Sequence, residues 1–260
     1  MVVGIAGCGR MGRGMLTNLR RAGIAARGFD IRDLGTDVMT DAVAFADGLT
    51  TLITVVRDAE QTDQVLFTDQ GLALCPSLET MIVSSTLSPK YTRDLRHRVP
   101  DRIRLIDAPM SGAQVKADAG TLSFMLGGAA EDLDRLQPLF DAMGRVSHRM
   151  GDFGAGMTAK VLNNLIAASS LAATRLALDW GRTAGLDPVD LVRLFDTSSG
   201  QTWISSGWTD IEFAQAGLEP DNSIAILAKD VEAALDAAPA DAETALPDLL
   251  IRMVRQLQPF

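Results

Sequence analysis

The chain opens on VVGIAGCGRMG, Val2 to Gly12, and these residues decide how the first half is read. Val2 to Ala6 is a short run of apolar and small residues that predicts a buried strand. It leads into Gly7, Gly9 and Gly12, after which an amphipathic segment continues to Gly23. G-x-G-x-x-G with a strand before it and a helix after it is the fingerprint of a dinucleotide-binding turn. Gly7 allows the tight turn, Gly9 removes a side chain where a pyrophosphate approaches the backbone, and Gly12 lets helix and strand pack closely. The helix N-terminus adds unpaired N–H groups and a partial positive charge. Cys8, Arg10 and Met11 occupy the variable positions of the same cofactor turn. A second strand, Ala25 to Phe29, ends at Asp30, 18 residues after Gly12 and 23 after Gly7. That is close to where an acid meets the adenosine ribose hydroxyls, so Asp30 favours NAD over NADP. Arg32 complicates the choice, because a guanidinium over the ribose offsets the repulsion of a 2′-phosphate, and NADP stays open.

Working outward, residues 31–51 have room for one turn of helix and a brief strand. Pattern resumes with LITVV, Leu52 to Val56, a continuous apolar run expected of a strand covered on both faces. A helical segment around Thr62 to Phe67 and the strand MIVSS, Met81 to Ser85, follow, then TLSP. These alternations predict β-α-β units in a parallel sheet, with the loops at Val56 and Thr86 lining the cofactor crevice. The strand Ile103 to Ile106 delivers DAPMSGA, Asp107 to Ala113, and the run GTLSFMLGG from Gly120 closes the first half. A Ser-Gly pair at a strand end presents a hydroxyl and unobstructed N–H groups to a carboxylate, or is simply a turn.

The stretch GAGMTAKVLNN, Gly154 to Asn164, opens the longest helical pattern in the chain. Leu165, Ala168, Ala172, Leu176 and Trp180 recur at helical steps with no proline, so one helix to about Ala184 is expected. Lys160 and Asn164 lie four apart and project from one face of it. Gly185 ends this helix, Asp187 and Pro188 cap and start another, and SIAILAKDVEAAL carries Lys229 and Asp230 in a further one. The domain boundary is placed at 153/154, giving units 1–153 and 154–260.

Composition bounds the rest. The 260 residues, 47% hydrophobic and 22% charged, can build one large or two medium cores. A formal charge of -9 argues against nucleic acid or an anionic membrane as partner. Two cysteines, Cys8 and Cys75, are too few for a disulfide framework or a cysteine metal site, so no metal is expected, and a reducing cytoplasm suits them. With no leader and no uninterrupted apolar run of membrane length, a soluble cytoplasmic protein is expected. His97 and His148, the only histidines, have no Ser or Asp arrangement that would indicate a hydrolase.

Five motifs stand in order: GIAGCGRMG, STLSP, DAPMSGAQVKADAGTLSFMLGG, GDFGAGMTAKVLNN and AKD. Through them the chain resembles the β-hydroxyacid dehydrogenase family, which includes 3-hydroxyisobutyrate dehydrogenase, tartronate semialdehyde reductase and, more distantly, 6-phosphogluconate dehydrogenase. The resemblance covers nearly the whole chain. It implies an α/β fold: an N-terminal Rossmann-type doubly wound sheet, a long interdomain helix, and an all-α C-terminal domain for substrate and dimerisation. It also implies hydride exchange between NAD or NADP and a short 3-hydroxyacid or its semialdehyde, by a homo-oligomer. Lys160 then matches the catalytic lysine and Asn164 the amide that helps hold the substrate. Ser111, Gly112 and Ala113 match the substrate-carboxylate loop, while Lys229 and Asp230 match a pair near the active site, the first expected at the substrate and the second at the cofactor. Such a lysine must lose a proton near neutrality, which partial burial favours. One departure is Ala113, where the family has a second glycine. An imine reductase and a non-catalytic dinucleotide-binding protein are the alternatives; Lys160 argues against the first, and Lys160, Asn164 and Ser111 together against the second.

Overall fold

The computed structural model describes residues 1–211, 213–219 and 223–260. Two compact units divide it, Met1–Lys160 and Val161–Phe260. In the first, β1 (Val3–Ala6) leads through α1 (Arg10–Arg21), β2 (Ala26–Phe29), β3 (Val38–Met39) and α2 (Ala42–Ala46) to β4 (Thr51–Thr54). Next come α3 (Ala59–Asp63), β5 (Thr80–Val83), α4 (Pro89–Arg98), β6 (Arg104–Asp107) and β7 (Met110–Ser111). The unit continues through α5 (Ala113–Ala119), β8 (Leu122–Gly127), α6 (Ala130–Met143) and β9 (Gly144–Gly151) to the start of α7 (Ala155–Thr183).

The strand order is β3-β2-β1-β4-β5-β6-β8-β7, with β9 paired to β8. The first six strands of that order run parallel, whereas β8 is antiparallel to both β6 and β7. Both faces of the sheet are covered, and this explains the apolar runs in the sequence. Ile5 pairs with Ile53, Ile53 with Ile82, and Ile82 with Ile106, so four isoleucines form one row across the sheet. That row packs with Met15, Leu16 and Leu19 of α1 and Leu136, Leu139 and Phe140 of α6. The alternate residues Leu52, Met81, Val83 and Leu105 pack on the other face with Phe45, Leu66 and Leu95. Each fully buried isoleucine contributes about 1.5–3 kcal/mol. The order reverses at β1, between β2 and β4, and a crevice at the carboxyl ends of the strands opens at such a point.

The second unit is helical: the remainder of α7, then α8 (Pro188–Asp196), α9 (Trp203–Ser206), α10 (Ser223–Asp236) and α11 (Ala245–Arg255). Its core joins Ala168, Leu171 and Leu178 of α7 to Ile204, Trp208, Ile224, Val231 and Val254. Arg175, buried on α7, donates to the carbonyls of Ala214, Ala216 and Gln258, so it ties the irregular segments to the helix. Helix α7 ends one residue before the expected Ala184, with Gly185 at φ +82° and Leu186 N–H returning to the Gly181 carbonyl. Asp187 accepts from the N–H groups of Val189 and Asp190, with Pro188 in the first turn. Among the described helices α7 alone is long and apolar enough to cross a membrane, by length and composition, and 44% of its most apolar window is buried in the protein.

Candidate active site

The glycine turn follows directly from β1. Gly7 has φ +98°, and a Cβ there would lie 2.4 Å from the Val55 carbonyl oxygen. A Cβ on Gly12 would lie 2.0 Å from the Gly7 carbonyl oxygen, so any side chain at that position would force α1 off the strand. Gly9 is the N-cap of α1, and neither a side-chain cap nor an acidic residue fills the first turn. The helix instead begins with Arg10 and carries Arg13 in its first turn, cations at the positive end of the dipole. An anion docked there would meet the N–H groups and the positive charge of the arginines, of which Arg13 is paired with Asp37. These features fit the phosphates of a dinucleotide.

Beside the turn, Cys8, Gly9, Arg10, Arg13, Arg32, Leu34, Gln114 and Asp118 line a cavity of about 280 Å³. Asp30 is buried next to it, and its carboxylate accepts from the N–H of Cys8 at 3.0 Å. Arg32 also donates to it, through its backbone N–H at 3.1 Å, Nε at 2.9 Å and Nη2 at 3.1 Å. Burial raises the Asp30 pKa, but the hydrogen bonds and charge of Arg32 outweigh it and hold the carboxyl below its ordinary 3.8. Burial pushes the Cys8 thiol up to about 12, so Cys8 stays a thiol and packs as a small apolar group. Met11 is partly buried and packs against the core beside the turn. Val56 lies against Gly7, and its N–H donates to Ser85 Oγ at 2.9 Å, which links the loop after β4 to the one after β5 that holds Thr86.

At the end of β6, Asp107 is fully buried and accepts from the N–H of Gly154 at 2.7 Å and from that of Met157. Its carboxylate thereby anchors the first turn of α7. A Cβ on Gly156 would lie 2.3 Å from the Met125 carbonyl oxygen and 3.0 Å from Asp107 Oδ2, so GAG lets the helix end meet the sheet. Burial raises the Asp107 pKa, and the two backbone N–H groups only partly offset that. Lys160 follows one turn later and is 7% exposed; Asn164, one further turn along α7, is 9% exposed. In the second unit Asn164 Nδ2 donates to Asp230 Oδ2 at 2.6 Å, and Lys229 Nζ stands 3.4 Å from Asp230 Oδ1. Asp230 is therefore a partner of Asn164 and Lys229, buried rather than displayed.

Ser111 ends β7 opposite Ser123, Gly112 has φ +142°, and Ala113 starts α5 at φ +54°. Ala113 is the one residue other than glycine with positive φ among the described residues. Sequence reasoning missed Asp107 as the anchor of α7, and missed Arg13, Leu34, Gln114 and Asp118 at the cavity. Gln114 and Asp118 arrive because α5 lies on α1: a Cβ on Gly14 would meet the Ala117 backbone at 2.7 Å, and Asn18 Nδ2 donates to the Ala117 carbonyl at 2.7 Å. Small residues at Gly14 and Ala117 were the only trace of this in the chain.

The profile of the NAD binding domain of 6-phosphogluconate dehydrogenase matches residues 2–151. That of the NAD-binding region of NADP-dependent 3-hydroxyisobutyrate dehydrogenase matches residues 154–257. Among curated relatives, NAD-dependent L-serine dehydrogenase of Pseudomonas aeruginosa is 32% identical over 98% of this chain and 91% of its own. The 3-hydroxyisobutyrate dehydrogenase of the same organism is 33% identical over 77% of this chain and 71% of its own. Among solved structures, Mycobacterium tuberculosis 3-hydroxyisobutyrate dehydrogenase with L-serine superposes with a TM-score of 0.81 at 25% identity, covering 99% of this chain and 97% of that one. The chain belongs to the β-hydroxyacid dehydrogenase family, with its Rossmann-type nicotinamide-dinucleotide domain first and its helical domain second.

Proposed function

We propose that the protein is an NAD(P)-dependent dehydrogenase of a short 3-hydroxyacid, or equally a reductase of the matching semialdehyde, with Lys160 as acid and base. The observation that carries this reading is the pair of buried polar side chains, Lys160 and Asn164, one turn apart on α7. Buried lysines are rare and need a reason. When bound, the nicotinamide supplies the hydride acceptor or donor. Residues 1–153 hold the dinucleotide through Gly7, Gly9, Gly12 and the N-terminus of α1, with Cys8, Arg10, Met11, Asp30, Val56 and Thr86 around it. Ser111, Gly112 and Ala113 receive the substrate carboxylate, and Lys229 adds a positive charge. In oxidation, hydride leaves the carbinol carbon, the hydroxyl proton passes to the Lys160 amine, and the carbon–oxygen double bond forms; reduction reverses each transfer. Asn164 holds the substrate oxygen, and its amide is oriented by two partners, Asp230 accepting from Nδ2 and Asn163 donating to Oδ1.

Residues 154–260 also offer an apolar surface. Leu162, Ile166, Leu176 and Trp180 are exposed on α7, the last at 69%, and recur at helical steps along one side. A second copy of the chain is the partner this supports, in a soluble cytoplasmic oligomer. The test of the reading is direct. Purified protein is mixed with NAD or NADP and a panel of short acids that includes 3-hydroxyisobutyrate and L-serine, which relatives are named for, while nicotinamide absorbance is followed. Turnover of at least one 3-hydroxyacid is expected; turnover of imines alone, or of nothing, would overturn the proposal.

A further inference from the structure

Asn164, Ala168, Leu171, Arg175, Leu178 and Arg182 recur along α7 at steps of three and four, so Arg175 stands on the same side of the helix as Asn164, about three turns further on. Ala168 and Leu171, between the two, pack in one core with Ile224, Leu227 and Val231 of α10. Apolar contact is non-directional, so this seam by itself does not choose one register of α10 along α7. Polar residues at its two ends do. At one end Asn164 meets Asp230. At the other, Arg175 is 4% exposed; its Nη1 donates to the carbonyls of Ala216 at 2.6 Å and Ala214 at 3.4 Å, and its Nη2 to that of Gln258. These carbonyls belong to two stretches laced together, since Leu218 N–H donates to the Leu257 carbonyl at 2.8 Å and Phe260 N–H to that of Gln215 at 2.9 Å. A Cβ on Gly217 would lie 2.7 Å from Pro259 Cδ, so the two backbones touch. The Phe260 ring, edge-on to Trp208, has the Arg182 guanidinium 4.2 Å over it. Leu218 in turn lines one cavity with Ala225, Ala228 and Lys229 of α10. One buried guanidinium therefore holds both the segment before α10 and the segment after α11. A buried charge is costly, and an apolar side chain of similar volume often stabilises as well. What the fork adds is direction, because its donors lie in a fixed plane and accept only one arrangement of carbonyls.

We propose that Arg175 is a positioning residue for the reaction: it fixes the register of α10 on α7 and so seats Asp230, with Lys229 beside it, at the Asn164 amide. This rests on the substrate role given to Asn164 above. In the full-length protein, Arg175→Met keeps the volume and removes the fork. Ile204→Ala, in the same core, removes apolar contact and no hydrogen bond, and serves as the control for lost stability alone. With each variant folded by circular dichroism, Arg175→Met should lower kcat/KM for the best acid by about tenfold or more, with dinucleotide affinity within about twofold of wild type. Ile204→Ala should stay within about threefold of wild type in both. Arg175→Lys, which keeps the charge but cannot span both stretches, should fall between, and replaces the Met variant if that one does not fold. In an Asp230→Ala background, where the positioned contact is already gone, Arg175→Met should cost less than about threefold. An Arg175→Met variant that keeps wild-type kcat/KM, loses no more than Ile204→Ala, or costs its full factor again without Asp230 would overturn the proposal. A wild type that turns over no acid would remove the functional reading instead, and the register is then judged by hydrogen exchange. Arg175→Met should speed exchange across residues 223–236 and leave residues 1–153 unchanged; unaltered exchange in α10 would refute the clamp.

Discussion

Ala113 shows how one side chain can carry both a structural cost and a functional consequence. At φ +54° its backbone holds a conformation that costs an L-residue about 1–2 kcal/mol. Glycine would relieve that strain but adds about 0.4–1 kcal/mol of unfolded-state entropy, so Ala113→Gly should stabilise the fold by roughly 0.5 kcal/mol. Denaturant unfolding checks this, and a destabilised variant would show that the conformation is not strained. The same substitution opens the proposed carboxylate loop, so relative kcat/KM across the acid panel should shift while dinucleotide affinity holds. Legibility at this scale was uneven. Ala113 stood out in the sequence as an alanine where the resemblance has glycine, but its backbone angle is set by the turn from β7 into α5, which no local pattern records. Asp30 was legible from its spacing after Gly12, and Arg32 from its position, whereas the three hydrogen bonds that Arg32 gives Asp30 depend on how the chain turns after β2.

At the scale of elements, the junction of β6 with α7 decides where Lys160 stands. Asp107 accepts two N–H groups from the first turn of that helix. Asp107→Ala would leave both without an acceptor in a buried place and should cost about 2 kcal/mol or more. A loss below about 0.5 kcal/mol would mean the anchor is dispensable. Asp107→Asn tests the electrostatics separately. Because burial raises the Asp107 pKa in the fold above its ordinary 3.8, its contribution is fully present below that value and is lost as pH rises through the raised one. The stability of wild type minus that of Asp107→Asn should therefore fall with rising pH; a difference that rises would mean the N–H groups, and not burial, dominate. Both partners in this junction were visible as motifs, DAPMSGA and GDFGAG. Their pairing was not, since a carboxylate and a glycine-rich turn 47 residues apart carry no joint signal until the sheet brings them together.

For the molecule as a whole, the first unit was far more legible than the second. Strands buried on both faces, glycine punctuation and an acid at the right distance each have their own physical cause and agree on one topology. In the second unit the long helix and the Asp187–Pro188 start could be read, but the segments around Trp208 and Ala214 are held by contacts such as those of Arg175 with distant carbonyls, which have no sequence period. The apolar stripe on α7 shows only once the other sides of the helix are covered. If a second copy covers it, Trp180→Glu should convert the wild-type oligomer to monomer by light scattering, and a wild type that is monomeric at micromolar concentration would refute the assembly. The functional reading depends most on Lys160. Single-turnover kinetics of Lys160→Ala, on the best substrate and at saturating dinucleotide, measure the chemical step itself. If the amine moves the alcohol proton, that step should slow by about 10²-fold or more with dinucleotide affinity near wild type, and the rise of the oxidation rate with pH should disappear. A variant that keeps the wild-type rate and pH profile, or only raises KM, would contradict the account.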